Sequence, residues 1–427
     1  MNSMAGDVAT SGGKPERSAR PRPLAFLKSL GPGLIAGASD NDPTTVASLS
    51  VIGATTGYGL SWLVILIVPM LVVVQVISAA VGVVTQEGLE DVIRRCYGRL
   101  WAAVALLLVL VVNVITLAAD LEGGAAALGL LSGRPYQWFV VPLALAVAAV
   151  LIWGSYTALE RVLRYVLLIF LAYVVTAFLA RPDWGQVLHA TVVPHLNFSS
   201  AYVQGALALL GTTLTSYAYV WETIEEAEER PPLRRLGLVQ VDAGLGMVLA
   251  GAIFWFIVIG TGATLGVHHQ QIQTAQDAAK ALAPLAGPFA AIIFGIGLLA
   301  SAVLALPVLA GTCAYVLAEA LGWKGSLNLR FTQARGFYVS MLLCLALAVA
   351  LTLVGISPIQ FLFWSSLAGG LGTPITLALL MLVARNRGVM GAQRIGSRLA
   401  IGGWLVTAVV VTACVVFLTQ TITSGRQ

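Results

Sequence analysis

Apolar runs of about 20 residues alternate with short polar connectors along nearly the whole chain. A helix needs about 20 predominantly apolar residues to cross the hydrocarbon core of a bilayer. Segments of that kind fall near 30–54, 60–84, 100–130, 136–153, 162–180, 201–222, 237–262, 288–318, 336–355, 358–384 and 400–420. The pattern predicts an all-α polytopic membrane protein with about 11 transmembrane helices. The two longest connectors, 181–200 and 263–287, fall on one side. Ten spans plus one suit a five-plus-five inverted repeat, which places interrupted helices at corresponding positions of the two halves.

Span one carries the sharpest break in the pattern. Gly37-Ala38-Ser39-Asp40-Asn41-Asp42-Pro43-Thr44-Thr45 puts two aspartates, an asparagine and a proline inside an apolar segment. Proline cannot continue the helical hydrogen-bond ladder, and the residue before it is pushed out of helical geometry. Carboxylates at that depth are expensive unless something pairs with them. A helix broken at mid-membrane, with acidic and backbone oxygens at the break, reads as a cation site. Asp42 as N-cap with Pro43 at the first helical position is also a helix start, and the two roles are compatible. Asp40 and Asn41 either line the pathway or bridge the break. Five spans later, Gly211-Thr212-Thr213-Leu214-Thr215-Ser216-Tyr217 is a polar, β-branched run without proline. It is the expected partner break.

Composition narrows the class further. Hydrophobic residues make up 58% of the chain and charged residues 10%, which excludes an ordinary soluble domain. Met1 to Pro23 is rich in Ser, Gly, Pro, Arg and Lys and has no apolar core. It is too polar for a signal peptide and reads as a disordered tail. Cys96, Cys313, Cys344 and Cys414 have no metal or disulfide spacing. The basic balance has a topological explanation, so no nucleic-acid partner is implied. With the N-terminus inside, only Arg134, Arg181, Lys280 and Arg426 of the 24 lysines and arginines fall outside. That bias obeys the positive-inside rule and places the N-terminus in the cytoplasm and the C-terminus outside, in a plasma (inner) membrane. The domains are then a disordered cytoplasmic tail at 1–27, an inverted-repeat core of helices 1–10 at 28–384, and a cytoplasmic loop plus helix 11 at 385–427.

The chain resembles the Nramp divalent-metal transporters over about 390 residues. Asp42-Pro43-Thr44-Thr45 resembles the family's Asp-Pro-Gly-Asn motif. Gly31-Pro32-Gly33, Ala119-Asp120-Leu121, Asp242, Leu282-Ala283-Pro284-Leu285 and Arg387-Gly388-Val389-Met390-Gly391 match the family at their positions. The resemblance implies a LeuT-like inverted repeat with interrupted helices 1 and 6, and a metal as substrate with no cofactor. The departures point to the Nramp-related magnesium branch. The family's span-six methionine becomes Thr215 and its histidine Tyr217. The span-one asparagine becomes Thr45, the span-three glutamate becomes Gly123 with Glu122 one residue early, and the span-ten glutamine aligns with Ser366.

Elementary coordination chemistry agrees. A thioether suits transition metals, and none of the seven methionines lies in span one or span six. The expected ligands are Asp42, Thr45, Thr212 and Thr215 with freed backbone carbonyls, all hard oxygens. Mg²⁺ takes oxygen ligands, uses few carboxylates and keeps several waters; Mn²⁺ accepts the same donors. Tyr217 is read as a wall of the cavity. Asn113, Thr116 and Asp120 share one helix face, where Asp120 either bonds a neighbouring helix or takes part in ion passage. Thr212 and Thr215 could instead back-bond within their own helix.

Transport of Mg²⁺, with Mn²⁺ accepted, by a monomer working through alternating access is the leading reading. Tyr217 does not titrate as a histidine would, and all four histidines lie in outside loops, so proton coupling is not expected. Two charges entering against about 100 mV gain about 4.6 kcal/mol, at about 2.3 per charge. The alternatives are a proton-coupled Mn²⁺/Fe²⁺ symporter and a sodium-coupled organic-solute transporter. No nucleophile–base pair or phosphate loop supports an enzyme. The acidic run Glu222, Glu225, Glu226, Glu228 and Glu229 reads as a solvated helix end in preference to an electrostatic funnel.

Overall fold

The computed structural model describes residue 37 and residues 40–153, 171–267, 272–283 and 287–424. The tail at 1–27, Gly31-Pro32-Gly33, span one before residue 37, Ala38-Ser39, the start of span five, His268, His269 and Pro284-Leu285 lie outside the described residues. The helices are α1 (Pro43–Thr56), α2 (Ser61–Thr85), α3 (Leu89–Ser132), α4 (Gln137–Trp153), α5 (Ser200–Thr213) and α6 (Ser216–Glu229). They continue with α7 (Leu236–Thr261), α8 (Ala290–Leu321), α9 (Arg335–Thr352), α10 (Pro358–Arg385) and α11 (Ser397–Ser424). No strand occurs among the described residues. Seven of these helices, α2, α3 and α7 to α11, are long and apolar enough to cross a bilayer singly. The apolar α4 is shorter.

Both expected interruptions are present. Residues 40–42 are non-helical before α1 begins at Pro43. Span six divides into α5 and α6 around Leu214 and Thr215, inside the run singled out from sequence. Span three starts earlier than the apolar pattern predicts. Its first turns, from Leu89, bury Leu89, Val92 and Ile93 while Arg94 pairs with Asp91 at 2.6 Å, and the chain bends at Gly98, where φ is 87°. A hydropathy reading stops at those charges; the amphipathic face continues through them. The long connectors also hold short helices, Trp184–Val192 and Ala275–Ala279.

The helices sort into two packed groups. In one, α2 lies against α6 and α7, and α1 lies against α7. In the other, α3 packs along α8 and α9 and touches α4. Helix α10 joins them through contacts with α3, α5 and α1, and α11 covers α10, α5 and α2 from outside. Leu107, Val111, Leu343, Leu347, Trp364, Leu405 and Val415 are exposed on the outer faces, as lipid contact requires.

The connectors gather at two ends. A cavity of about 650 Å³ is lined by residues 86–88 between α2 and α3, Arg230 after α6, and Gly322, Trp323, Gly325, Ser326 and Asn328 after α8. A second cavity, of about 510 Å³, is lined by Gly133–Tyr136 after α3, Gln273–Gln276 after α7, and Gly355–Pro358 between α9 and α10. This is the alternation that the spans predict.

Candidate functional site

The break before α1 is held open by its own cap. Asp42 is extended (φ −68°, ψ 167°), and its Oδ1 accepts the Thr45 N–H at 2.6 Å. Pro43 fills the first helical position, where no N–H is needed. The other carboxylate oxygen, Oδ2, accepts the Tyr217 hydroxyl of α6 at 2.8 Å. Each carboxylate oxygen carries more than one acceptor direction, so Asp42 keeps lone pairs for a cation. Asp42 and Tyr217 are both 1% exposed.

The hydroxyls converge from the second break. Thr45 Oγ1 and Thr212 Oγ1 lie 2.8 Å apart, across the two interrupted spans. Thr212 therefore faces the site and does not back-bond, whereas its neighbour Thr213 donates to the Leu209 carbonyl. Thr215 is the N-cap residue of α6, and its hydroxyl has no hydrogen-bond partner among the described residues. The last turn of α5 ends at this break, and the final carbonyls of a helix have no intrahelical donors. That end carries the negative pole of the helix dipole, which favours a cation.

The flanking predicted residues divide into two kinds. Asp120 Oδ1 accepts both the Thr44 N–H at 3.0 Å and the Thr44 hydroxyl at 2.5 Å. It thus ties α3 to the first turn of α1, the inter-helix bond that sequence offered as one reading. Ser366 of α10 meets Ser48 of α1 at 2.7 Å. Asn41 Nδ2 donates back to the Gly37 carbonyl at 3.2 Å, so it bridges the break. Asp40 is 1% exposed, and neither of its carboxylate oxygens has a partner among the described residues. Asn113 is buried two turns before Asp120, about 10 Å along the helix axis, and so stands apart from the site. Thr116, on the same face, accepts from Ser365 of α10 at 3.1 Å.

Three participants were not singled out from sequence. Thr44 and Ser48 follow the Asp-Pro pair at helical spacing, and that spacing is the signal that marks them. Ser301 of α8 donates to the Asn41 carbonyl at 2.7 Å; nothing local in its apolar helix marks it. The acidic run is a correction. Glu222, Glu225 and Glu226 are buried, not solvated. Helix α6 packs along the whole lower half of α2: Gln75 Nε2 donates to Glu222 Oε2 at 3.4 Å, and Ser78 bonds both Thr223 and the Tyr219 carbonyl. Gly82 lets Thr223 and Glu226 approach α2 closely, in space a Cβ would fill.

A buried carboxylate, three hydroxyls and helix-end carbonyls make an oxygen-only donor set between two broken helices. The same architecture occurs in known proteins. The family model described as "Nramp: Natural resistance-associated macrophage protein-like" matches residues 33–420. A protein of Deinococcus radiodurans named divalent metal cation transporter MntH is 30% identical over 407 residues, covering 90% of this chain and 88% of that one. A Bacillus subtilis protein of the same name is 25% identical, covering 92% of each chain. Among solved structures, a manganese transporter of Eremococcus coleocola superposes with a TM-score of 0.73 at 17% identity, covering 93% of this chain and 86% of that one. MhsT in complex with L-phenylalanine superposes with a TM-score of 0.60 at 13% identity, covering 91% and 97%. Interrupted spans one and six, the Asp-Pro cap and a family match spanning nearly all the membrane segments lead to one assignment: the chain belongs to the Nramp family.

Proposed function

We propose that this protein carries divalent metal cations across the plasma membrane by alternating access, with Mg²⁺ as substrate and Mn²⁺ accepted. Asp42, Thr45, Thr212 and Thr215 hold the ion; Asp40, Asn41, Tyr217, Asp120 and Ser366 shape the path or support the ligands. The observation that carries this reading is the donor set itself. The polar side chains at the two breaks, Asp42, Thr45, Thr212 and Thr215, offer oxygen, and Tyr217 occupies Asp42 with a hydroxyl. A hard, partly hydrated ion suits such donors, and a soft ligand is missing. The carrier works as a monomer with its N-terminus in the cytoplasm and its C-terminus outside. Residues 28–384 form the moving core.

Entry is driven by the membrane potential, without proton coupling. A second reading is proton-coupled Mn²⁺ symport, whose metal, though not its coupling, is supported by the likeness to a manganese transporter. One experiment separates them: uptake of Mg²⁺ and Mn²⁺ into proteoliposomes at an inside-negative potential, with a pH dye inside. Metal uptake without acidification is expected, and Asp42→Ala abolishes it while the protein stays folded. Acidification that tracks metal uptake refutes the uncoupled mechanism. Normal flux in Asp42→Ala refutes the site. Uptake of a sodium-dependent amino acid in place of metal refutes the substrate class.

A further inference from the structure

The last turns of α6 cross from one helix group to the other. Helix α6 packs along α2, yet its far end also meets α8. Trp221 sits over Gly311 of α8, where a Cβ would crowd its ring, and that ring meets Tyr315 edge-on with centroids 6.0 Å apart. Two turns further on, Glu228 is clasped. The Tyr315 hydroxyl donates to Glu228 Oε1 at 2.8 Å and accepts the Leu327 N–H at 2.9 Å. Asn328 Nδ2, in the connector after α8, donates to Glu228 Oε2 at 3.1 Å. Both carboxylate oxygens are thus held from the opposite group. The connector is itself anchored there, since the Tyr338 hydroxyl of α9 donates to the Leu329 carbonyl at 2.7 Å. Phe337 of α9 packs edge-on against Tyr315, with centroids 4.9 Å apart.

The position of the clasp gives it a task. Glu228 lies eleven residues past Tyr217, about 16 Å further along the axis. The 650 Å³ cavity among the connectors is lined by Ile224, Glu228, Tyr315 and Asn328. The same four residues line a smaller cavity, of about 170 Å³, that reaches back along α6 to Trp221. They form the wall between the two spaces. Hydrogen bonds to a carboxylate are of the strong kind, but beside a cavity open to water each can be exchanged for a bond to solvent at a modest net cost. Such a clasp biases an equilibrium between a closed and an open wall without locking it.

We propose that Glu228 is a gating residue, whose carboxylate, clasped by Tyr315 and Asn328, closes the cytoplasmic end of the permeation path until α6 parts from α8. This inference rests on the alternating-access reading and the orientation given above. Glu228 does not touch the metal in its site; it sets how much of the carrier faces the cytoplasm.

The test reads the wall directly. Ile224→Cys, in a Cys96→Ser background, is labelled from the cytoplasmic face of membrane vesicles by an impermeant methanethiosulfonate reagent. Adding Glu228→Ala or Tyr315→Phe speeds labelling at least fivefold. The two together gain little over the larger single effect, because both open one clasp. Without the reporter, each variant raises the KM for Mn²⁺ uptake from the outer face about threefold or more, since fewer carriers face outward. Labelling unchanged in both variants overturns the proposal. Faster labelling of the buried native Cys414 in the same samples also overturns it, as the mark of general loosening. Should Glu228→Ala fail to fold, Tyr315→Phe carries the same comparison. Absence of metal flux in the wild type refutes the transport reading; wild-type flux with unshifted labelling refutes only the gate.

Discussion

The Thr45–Thr212 contact separates a ligand role from a structural one. Each hydroxyl is buried, 0% and 2% exposed, and they lie 2.8 Å apart. Thr→Val keeps the shape and the β-branch at either position and removes one oxygen. A single replacement loses a neutral hydrogen bond of about 1 kcal/mol and strands the partner hydroxyl, costing about 1–3 kcal/mol in all. Replacing both leaves no stranded group and is nearly neutral. Stability across the cycle of Thr45→Val, Thr212→Val and the double variant is therefore strongly non-additive. Metal affinity behaves in the opposite way. Each lost oxygen weakens the ion by about tenfold, about 1.4 kcal/mol, and the double variant by about a hundredfold, since no ligand returns. Reversible unfolding in mixed micelles gives the first quantity and calorimetric Mg²⁺ and Mn²⁺ binding the second. A double variant that regains affinity together with stability would refute ligation and leave the two threonines as a helix–helix bond.

Three further outcomes follow from the geometry. Thr215→Met places a thioether at the uncapped start of α6, and Cd²⁺ binding should tighten by about tenfold or more while Mg²⁺ binding weakens, read by competition calorimetry. Gly211→Ala puts a Cβ into the backbone of Ser366 and Gly370, and overpacking of this kind should cost about 1–3 kcal/mol, seen as a lower unfolding midpoint. In the short helix Ala275–Ala279, the Lys280 ammonium beside Asp277 holds its carboxyl below the ordinary value, helped by the Thr274 cap. A depressed carboxylate stabilises above its unfolded pKa and loses that contribution as pH falls through the folded one, so hydrogen-exchange protection over 272–283, corrected for the intrinsic pH dependence of exchange, should fall in acid.

Much of this molecule is legible in its sequence because a bilayer imposes simple rules. Apolar length gives the spans, and Asp42-Pro43 encodes its own break through a missing N–H and a capping oxygen. The partner break at Leu214–Thr215 has no proline, and it is legible only through the repeat logic, the polar run around it and the family resemblance. Thr212 and Ser366 were reachable through their alignment with the family's motif positions. Ser301 was not, since a serine in an apolar helix carries no mark of what it faces. The acidic run misled for a related reason. Charge density on one segment describes its solvation only if the neighbour is known, and here α2 supplies Gln75, Ser78 and Gly82 at the spacing that buries it.

The bond from Asp120 to Thr44 has a mechanical consequence. It grips α1 at its first turn, so a swing of that helix about this point would use the bond as a fulcrum. From Thr44, α1 extends about 18 Å further to Thr56. A rotation of about 15°, of the size seen when packed subunits reorient, carries the far end by about 5 Å and leaves the gripped end almost still. A displacement of that size at the far end of α1 would then require no rupture of the Asp120–Thr44 bond.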